Sequence, residues 1–189
     1  MEPSLSEIKD LITIAKPFID PIVSTFIKPK MERLALWLKA RSINHAVEDN
    51  FFENKFAEYI ARTYDKCVNI NVLIFQNQQV KLKDIYYPLK IQSSKYDEII
   101  HLTDFELKYL KKYGKILISD TAGMGKSTLS KFITLKIIEN NLSIPILIDL
   151  RNLEEDHLLL DEIFYQIDPI DKTFDKELIL KLLELGQFI

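Results

Sequence analysis

The sequence predicts an α/β fold in which an all-helical N-terminal domain precedes the first part of a three-layer domain built on a parallel sheet. Three observations carry this. Apolar residues recur at helical spacing as far as Tyr64, and strand-like runs replace them from Ile70 onward. Between Lys115 and Ile138 an apolar run, a glycine-bearing loop and a helical pattern follow one another directly. A second apolar run, Ile144 to Leu150, comes next, and strand, helix and strand in that order make the unit of a parallel sheet. The boundaries fall at 1–68 for the helical domain, 69–102 for a connecting strand and extended segment, and 103–189 for the incomplete α/β domain.

The helical part opens with Leu5, Ile8, Leu11, Ile12 and Ala15, continued by Phe18, Ile19, Ile22, Val23 and Phe26. Ser4 or Ser6 suits the N-cap. Pro17 and Pro21 are expected to break or kink this run, since proline removes a helical N–H and crowds the preceding turn. Lys28-Pro29-Lys30 reads as a turn, and a further helix is expected from Met31 to His45 around Leu34, Trp37 and Leu38. Asp49 or Asn50 caps the next helix, whose face is Phe52, Phe56, Tyr59, Ile60 and Tyr64. Aromatic stripes at that spacing more commonly build a core than hold a cofactor.

From Val68 the period changes. Ile70, Val72, Ile74 and Phe75 suggest a strand, and Asn77-Gln78-Gln79 a turn. Leu82 to Ile91 reads as a short turn and then an extended segment fixed by Pro88. Gln92-Ser93-Ser94-Lys95 is a polar linker, and Phe105 to Lys112 a short helix closed by Gly114. Residues 158–167 and 175–185 read as two more helices. No repeat or low-complexity tract is present.

The chemistry gathers at Asp120-Thr121-Ala122-Gly123-Met124-Gly125-Lys126-Ser127-Thr128. Ile116 to Ile118 reads as a buried parallel strand leading into it, and Leu129, Phe132, Ile133 and Leu135 as the helix behind it. Glycine lacks a Cβ, so Gly123 and Gly125 let the backbone turn its N–H groups toward an anion. The positive end of the following helix points into the same space. Strand, glycine-rich loop and Gly-Lys-Ser at a helix start are the layout of a phosphate-binding loop. Lys126 is expected to reach the β and γ phosphates and the Ser127 hydroxyl to ligate Mg²⁺, so ATP or ADP with Mg²⁺ is the expected cofactor. Thr121 through Thr128 form the candidate nucleotide site, with no catalytic residue assigned. The bland reading, a glycine turn without a ligand, leaves a lysine at a helix start where positive charge is unfavourable.

The full pattern, G-x-x-x-x-G-K-[ST], would put its first glycine on Asp120. Aspartate tolerates a left-handed backbone better than most residues, but its carboxylate is expected to oppose a phosphate.

Composition narrows the alternatives. A formal charge of −3 gives no general electrostatic attraction for nucleic acid. One cysteine, Cys67, permits no internal disulfide and fits a reducing compartment. His45, His101 and His157 lack metal-ligand spacing. The N-terminus has no basic region or cleavage site, and Ile8 to Ile27 is too polar to span a bilayer, so the expected location is the cytoplasm.

These residues also resemble a known family. Lys115 to Ile118 running into Ala122 to Leu129, with Ile144 to Arg151 behind it, is similar to the NACHT branch of the STAND P-loop NTPases. Tyr86-Tyr87-Pro88-Leu89 looks like the lead-in of bacterial members, and the resemblance covers about residues 82–189. It implies a nucleotide-switched signalling ATPase that oligomerises on nucleotide exchange and serves in immune-like antiphage defence. It also implies an N-terminal effector domain and a C-terminal sensor. The sequence departs from the pattern in lacking an apolar strand that ends in paired acids. Leu182 to Ile189 looks like the approach to that Walker B strand, cut before its aspartate. The arginine and histidine sensors of later subdomains are missing too, so an N-terminal portion of a longer protein is expected. Two other readings are a non-hydrolysing interaction module worked by the helical region, and a P-loop small-molecule kinase. The kinase requires a basic lid and an acceptor site, and the sequence shows neither. No guanine-reading Asn-Lys-x-Asp occurs, which favours adenine.

Overall fold

The computed structural model describes residues 5–29, 49–71, 79–94, 99–102, 112, 114–154, 157–167, 180–181, 183–184 and 188–189. The helix expected over 31–45 and the short helix over 105–111 lie outside them, as does most of 175–185.

The first helix, α1 (Leu5–Ile22), runs through both prolines instead of breaking at them. Pro17 and Pro21 lie four residues apart and both are exposed. The carbonyls they orphan, those of Thr13 and Pro17, therefore sit on the wet side, where water can take the lost bonds. The irregularity comes just after, as a π-helical turn over Val23–Ile27. Ser24 Oγ there donates to the Pro21 carbonyl at 3.0 Å.

The next described helix, α2 (Asp49–Val68), is the longest among the described residues at 20 residues. Phe56, Tyr59, Ile60 and Ala61 are buried, and Tyr64 is half-buried and stacks on Phe18 of α1 at 5.1 Å. Its C-terminus runs into β1 (Asn69–Asn71), which pairs antiparallel with β2 (Gln79–Lys81). A single helical turn, α3 (Leu82–Ile85), then leads through extended residues 86–89 to β3 (Lys90–Gln92). Gln92, read as the start of a polar linker, instead ends β3, which pairs antiparallel with β4 (Ile99–His101).

The helix behind the glycines is α4 (Lys126–Glu139). Ile144 follows, then a 3₁₀ turn at Leu150–Asn152 and α5 (Leu159–Ile167). Among the described residues, the parallel pairing expected of residues 144–150 is a bridge between Ile144 and Phe188. Ile189 N–H donates to the Ile144 carbonyl at 3.0 Å, and Ile146 N–H to the Ile189 carbonyl at 2.7 Å.

Among the described residues the architecture is therefore helices with two small antiparallel sheets and one parallel bridge. The expected three-layer parallel sheet is not seen there, because residues 116–118, read as the strand leading into the loop, pair with no other described strand. Nor is that segment buried as expected: Leu117 is 93% exposed and Ile116 44%.

Helical and α/β parts share one hydrophobic core across residue 68. Ala15, Ile19, Phe56, Tyr59 and Ile60 pack in one cluster with Ile138, Ile144, Ile163 and Ile167. The Tyr59 hydroxyl donates to the Pro145 carbonyl at 2.6 Å, and burial pushes its pKa up to about 12. Arg62 donates to the Gln166 carbonyl at 2.9 Å, closing the end of α5 from α2. No helix among the described residues is long and apolar enough to cross a membrane.

Candidate functional site

The glycine loop has the backbone its sequence calls for. Gly123 lies at φ +83° and Gly125 at φ +84°, the left-handed region where any other residue is strained. Gly125 is also the N-cap of α4, and its carbonyl accepts from Leu129 N–H at 2.8 Å. The first N–H groups of a helix have no partner within it. Those of 123–126 meet no protein acceptor among the described residues.

Lys126 turns back into the loop. Its Nζ donates to the Asp120 carbonyl at 2.8 Å and to the Thr121 carbonyl at 2.7 Å. The ammonium is thus held inside the ring formed by the loop, so a cation is in place where an anion would be received.

Asp120, in place of the motif's first glycine, is not among the residues with positive φ. No glycine is needed at this point of the turn, and the tolerance of aspartate for left-handed backbone is not used. Its carboxylate accepts from Thr121 N–H at 2.7 Å and contacts the Thr121 hydroxyl at 3.4 Å. That bond satisfies one loop amide from within the protein and turns the carboxylate onto the start of the loop.

The predicted residues are brought together on one turn. Thr121, Ala122, Gly123 and Met124 are exposed, Gly125, Lys126 and Thr128 half-buried, and Ser127 exposed on the first turn of α4. The Ser127 hydroxyl is accessible to a metal bridging to phosphate. No group of three or more acidic, histidine or cysteine side chains able to hold a metal occurs among the described residues. The loop amides and the Lys126 ammonium are donors, the kind of group from which a phosphate oxygen accepts.

Asp149, the acid at the end of the second apolar run, does not join this site. Its carboxylate takes both Nε and the terminal nitrogen of Arg151 and caps Arg151 N–H, and these bonds bring its pKa down to about 2.

Two neighbours of the loop were not legible as such. Tyr86 stacks flat on Phe132 of α4, ring centres 3.9 Å apart and planes 10° apart. Leu89 Cδ1 lies 3.8 Å from where a Cβ on Gly125 would be. The sequence marks only an extended segment around Pro88, and no local pattern says which surface it crosses.

No family model matches the chain, and no match is found among curated proteins or solved structures.

Proposed function

We propose that the chain is the nucleotide-binding part of a signalling ATPase of the NACHT kind, binding ATP or ADP with Mg²⁺ and assembling with further copies in antiphage-type defence. The observation that carries the binding reading is the loop itself. Two left-handed glycines, amides that meet no protein acceptor among the described residues, and an inturned Lys126 come together at a helix start. Left-handed glycines, unpaired amides at a helix start and a lysine aimed into the loop are each known means of holding phosphate.

In this reading the backbone of 123–126 binds the phosphates, Lys126 exchanges its two carbonyls for phosphate oxygens, and Ser127 orients Mg²⁺. Mg²⁺ supplies charge neutralisation between the phosphates. The parallel bridge from Ile144 to Phe188 supports a parallel sheet, since parallel pairing requires a crossover, and the chain between the two residues carries α5.

Titration with Mg-ATP, Mg-ADP and Mg-GTP tests this. Binding to the parent chain with adenine preferred is expected, and Lys126→Ala should abolish it without unfolding the protein. Equal affinity in parent and variant overturns the assignment and leaves the helical interaction module as the better reading. ATP turnover is expected at the level of the Lys126→Ala control, because Asp149 is committed to Arg151 and the Asp120 carboxylate, at the start of the loop, is taken up by Thr121.

A further inference from the structure

Residues 82–89 form a strap along α4, and every third residue of the strap meets every seventh residue of the helix. Lys83 Nζ pairs with Glu139 Oε1 at 2.8 Å at the end of α4. Tyr86 stacks on Phe132 at its middle. Leu89 closes on Gly125 at its start. A seven-residue repeat returns to nearly the same face of an α-helix, so the three contacts lie in one line. Both ends are fastened. Leu82 is fully buried and shares a cluster with Cys67, Leu129, Phe132 and Leu135, while the Leu89 carbonyl accepts from Leu102 N–H at 2.9 Å.

We infer that this strap is a positioning element for the phosphate loop, with Tyr86 and Leu89 holding Gly125 and the start of α4 in the phosphate-receiving conformation. This rests on the nucleotide-binding reading above. The physical reason is that Gly125 has no side chain of its own to anchor it. Glycine is also the residue with most backbone freedom to lose on ordering. A loop with two left-handed glycines, one of them at the helix start, requires outside contact to stay in one conformation, and Leu89 is the side chain found beside Gly125. Tyr86, stacked two helical turns on, fixes where Leu89 can sit. Coupling is reciprocal, so a ligand that favours the held loop must also favour the seated strap.

The test is binding of Mg-ATP and of tripolyphosphate, which lacks base and sugar, to the parent, Tyr86→Ala, Tyr86→Phe and Leu89→Ala. Tyr86→Ala and Leu89→Ala are each expected to weaken both ligands alike, by about tenfold. Tyr86→Phe keeps the stack and should restore affinity, losing only the 3.4 Å contact of the hydroxyl with the Leu102 carbonyl. Amide exchange supplies a readout that mere packing would not move: ligand should slow exchange at Tyr86 and Leu102 in the parent and not in Leu89→Ala. Should Tyr86→Ala fail to fold, Leu89→Ala decides. Loss of ATP with tripolyphosphate unaffected overturns the inference, since Leu89 would then be touching the base. Unchanged affinity for both, with Lys126→Ala still inactive, also overturns it while leaving nucleotide binding intact. A parent chain that binds neither ligand removes both.

Discussion

The helix behind the phosphate loop and the extended segment in front of it are both apolar, yet they meet opposite surroundings. In α4, Leu129, Phe132, Leu135, Ile137 and Ile138 are buried, packed by α2 on one side and by the strap on the other. In 116–118, among the described residues, Ile118 packs against the apolar cluster while Leu117 stands almost fully in solvent. The difference is one of closure. A helix satisfies its backbone internally and asks its neighbours only to cover a stripe. A strand needs a partner along each edge and cover on each face, so every part of its stability comes from elsewhere in the fold.

The largest effect expected from this contrast is on the packed side. Ile138 is fully buried in the cluster that joins α1, α2 and α5. Ile138→Ala should cost about 2–5 kcal/mol, read by urea unfolding, because the cavity would open where several elements meet. A cost below about 1 kcal/mol would mean that α4 and α2 are not packed in solution.

The same contrast explains what the sequence discloses. The helices over 49–68, 126–139 and 159–167 are legible because spacing and caps are local. The glycine loop is legible because Gly123, Gly125 and Lys126 are each demanded by local geometry. The prolines of α1 mislead, since their cost depends on which side of the helix is wet. The strap is hidden because nothing within Leu82 to Leu89 states that it lies along α4. Residues 116–118 are read as a buried strand from composition alone, and composition cannot provide the strands on either side. The boundary at residue 68 follows the change of period at the join of α2 and β1, but period is silent about Tyr59 reaching Pro145.

A second prediction concerns the junction between the two regions. Gly125→Ala places a Cβ at an ordinary contact distance of 3.8 Å from Leu89, so crowding is not the penalty. Backbone strain at φ +84° is, and it should cost about 1–2 kcal/mol of stability. A thermal shift near zero would show that the loop relaxes out of the left-handed conformation.

Acid tests the packing of α5. Burial pushes the Glu162 carboxyl up, but donors from Gln166, His157 and Asn152 outweigh this and hold it below its usual value. The folded pKa is thus depressed relative to the unfolded one. Its contribution is complete above the unfolded value of about 4.3 and disappears as pH falls through the folded value. Glu162→Gln should lower stability by about 1 kcal/mol at neutral pH and flatten the acid limb of the stability profile. An unchanged limb would place the acid sensitivity in other carboxylates.

The smallest effect on stability is expected at Leu117, and it sharpens the comparison most. An exposed side chain that removes little surface from water on folding has little to lose, so Leu117→Lys should change the unfolding free energy by no more than about 0.5 kcal/mol. Its effect should appear in association instead. Ile116, Leu117, Ile118 and Ser119 pair with no strand among the described residues and line a groove of about 260 Å³ together with Ile91, Ile100, Leu102 and Ile133. An apolar strand with free edges is a template for another strand, and a charge at its centre is a natural guard against that. Sedimentation at rising protein concentration should therefore show less self-association for Leu117→Lys than for the parent. A loss of more than about 1 kcal/mol would mean that 116–119 lies within a sheet in solution. The two sides of the loop would then be alike in packing, and the contrast between them would disappear.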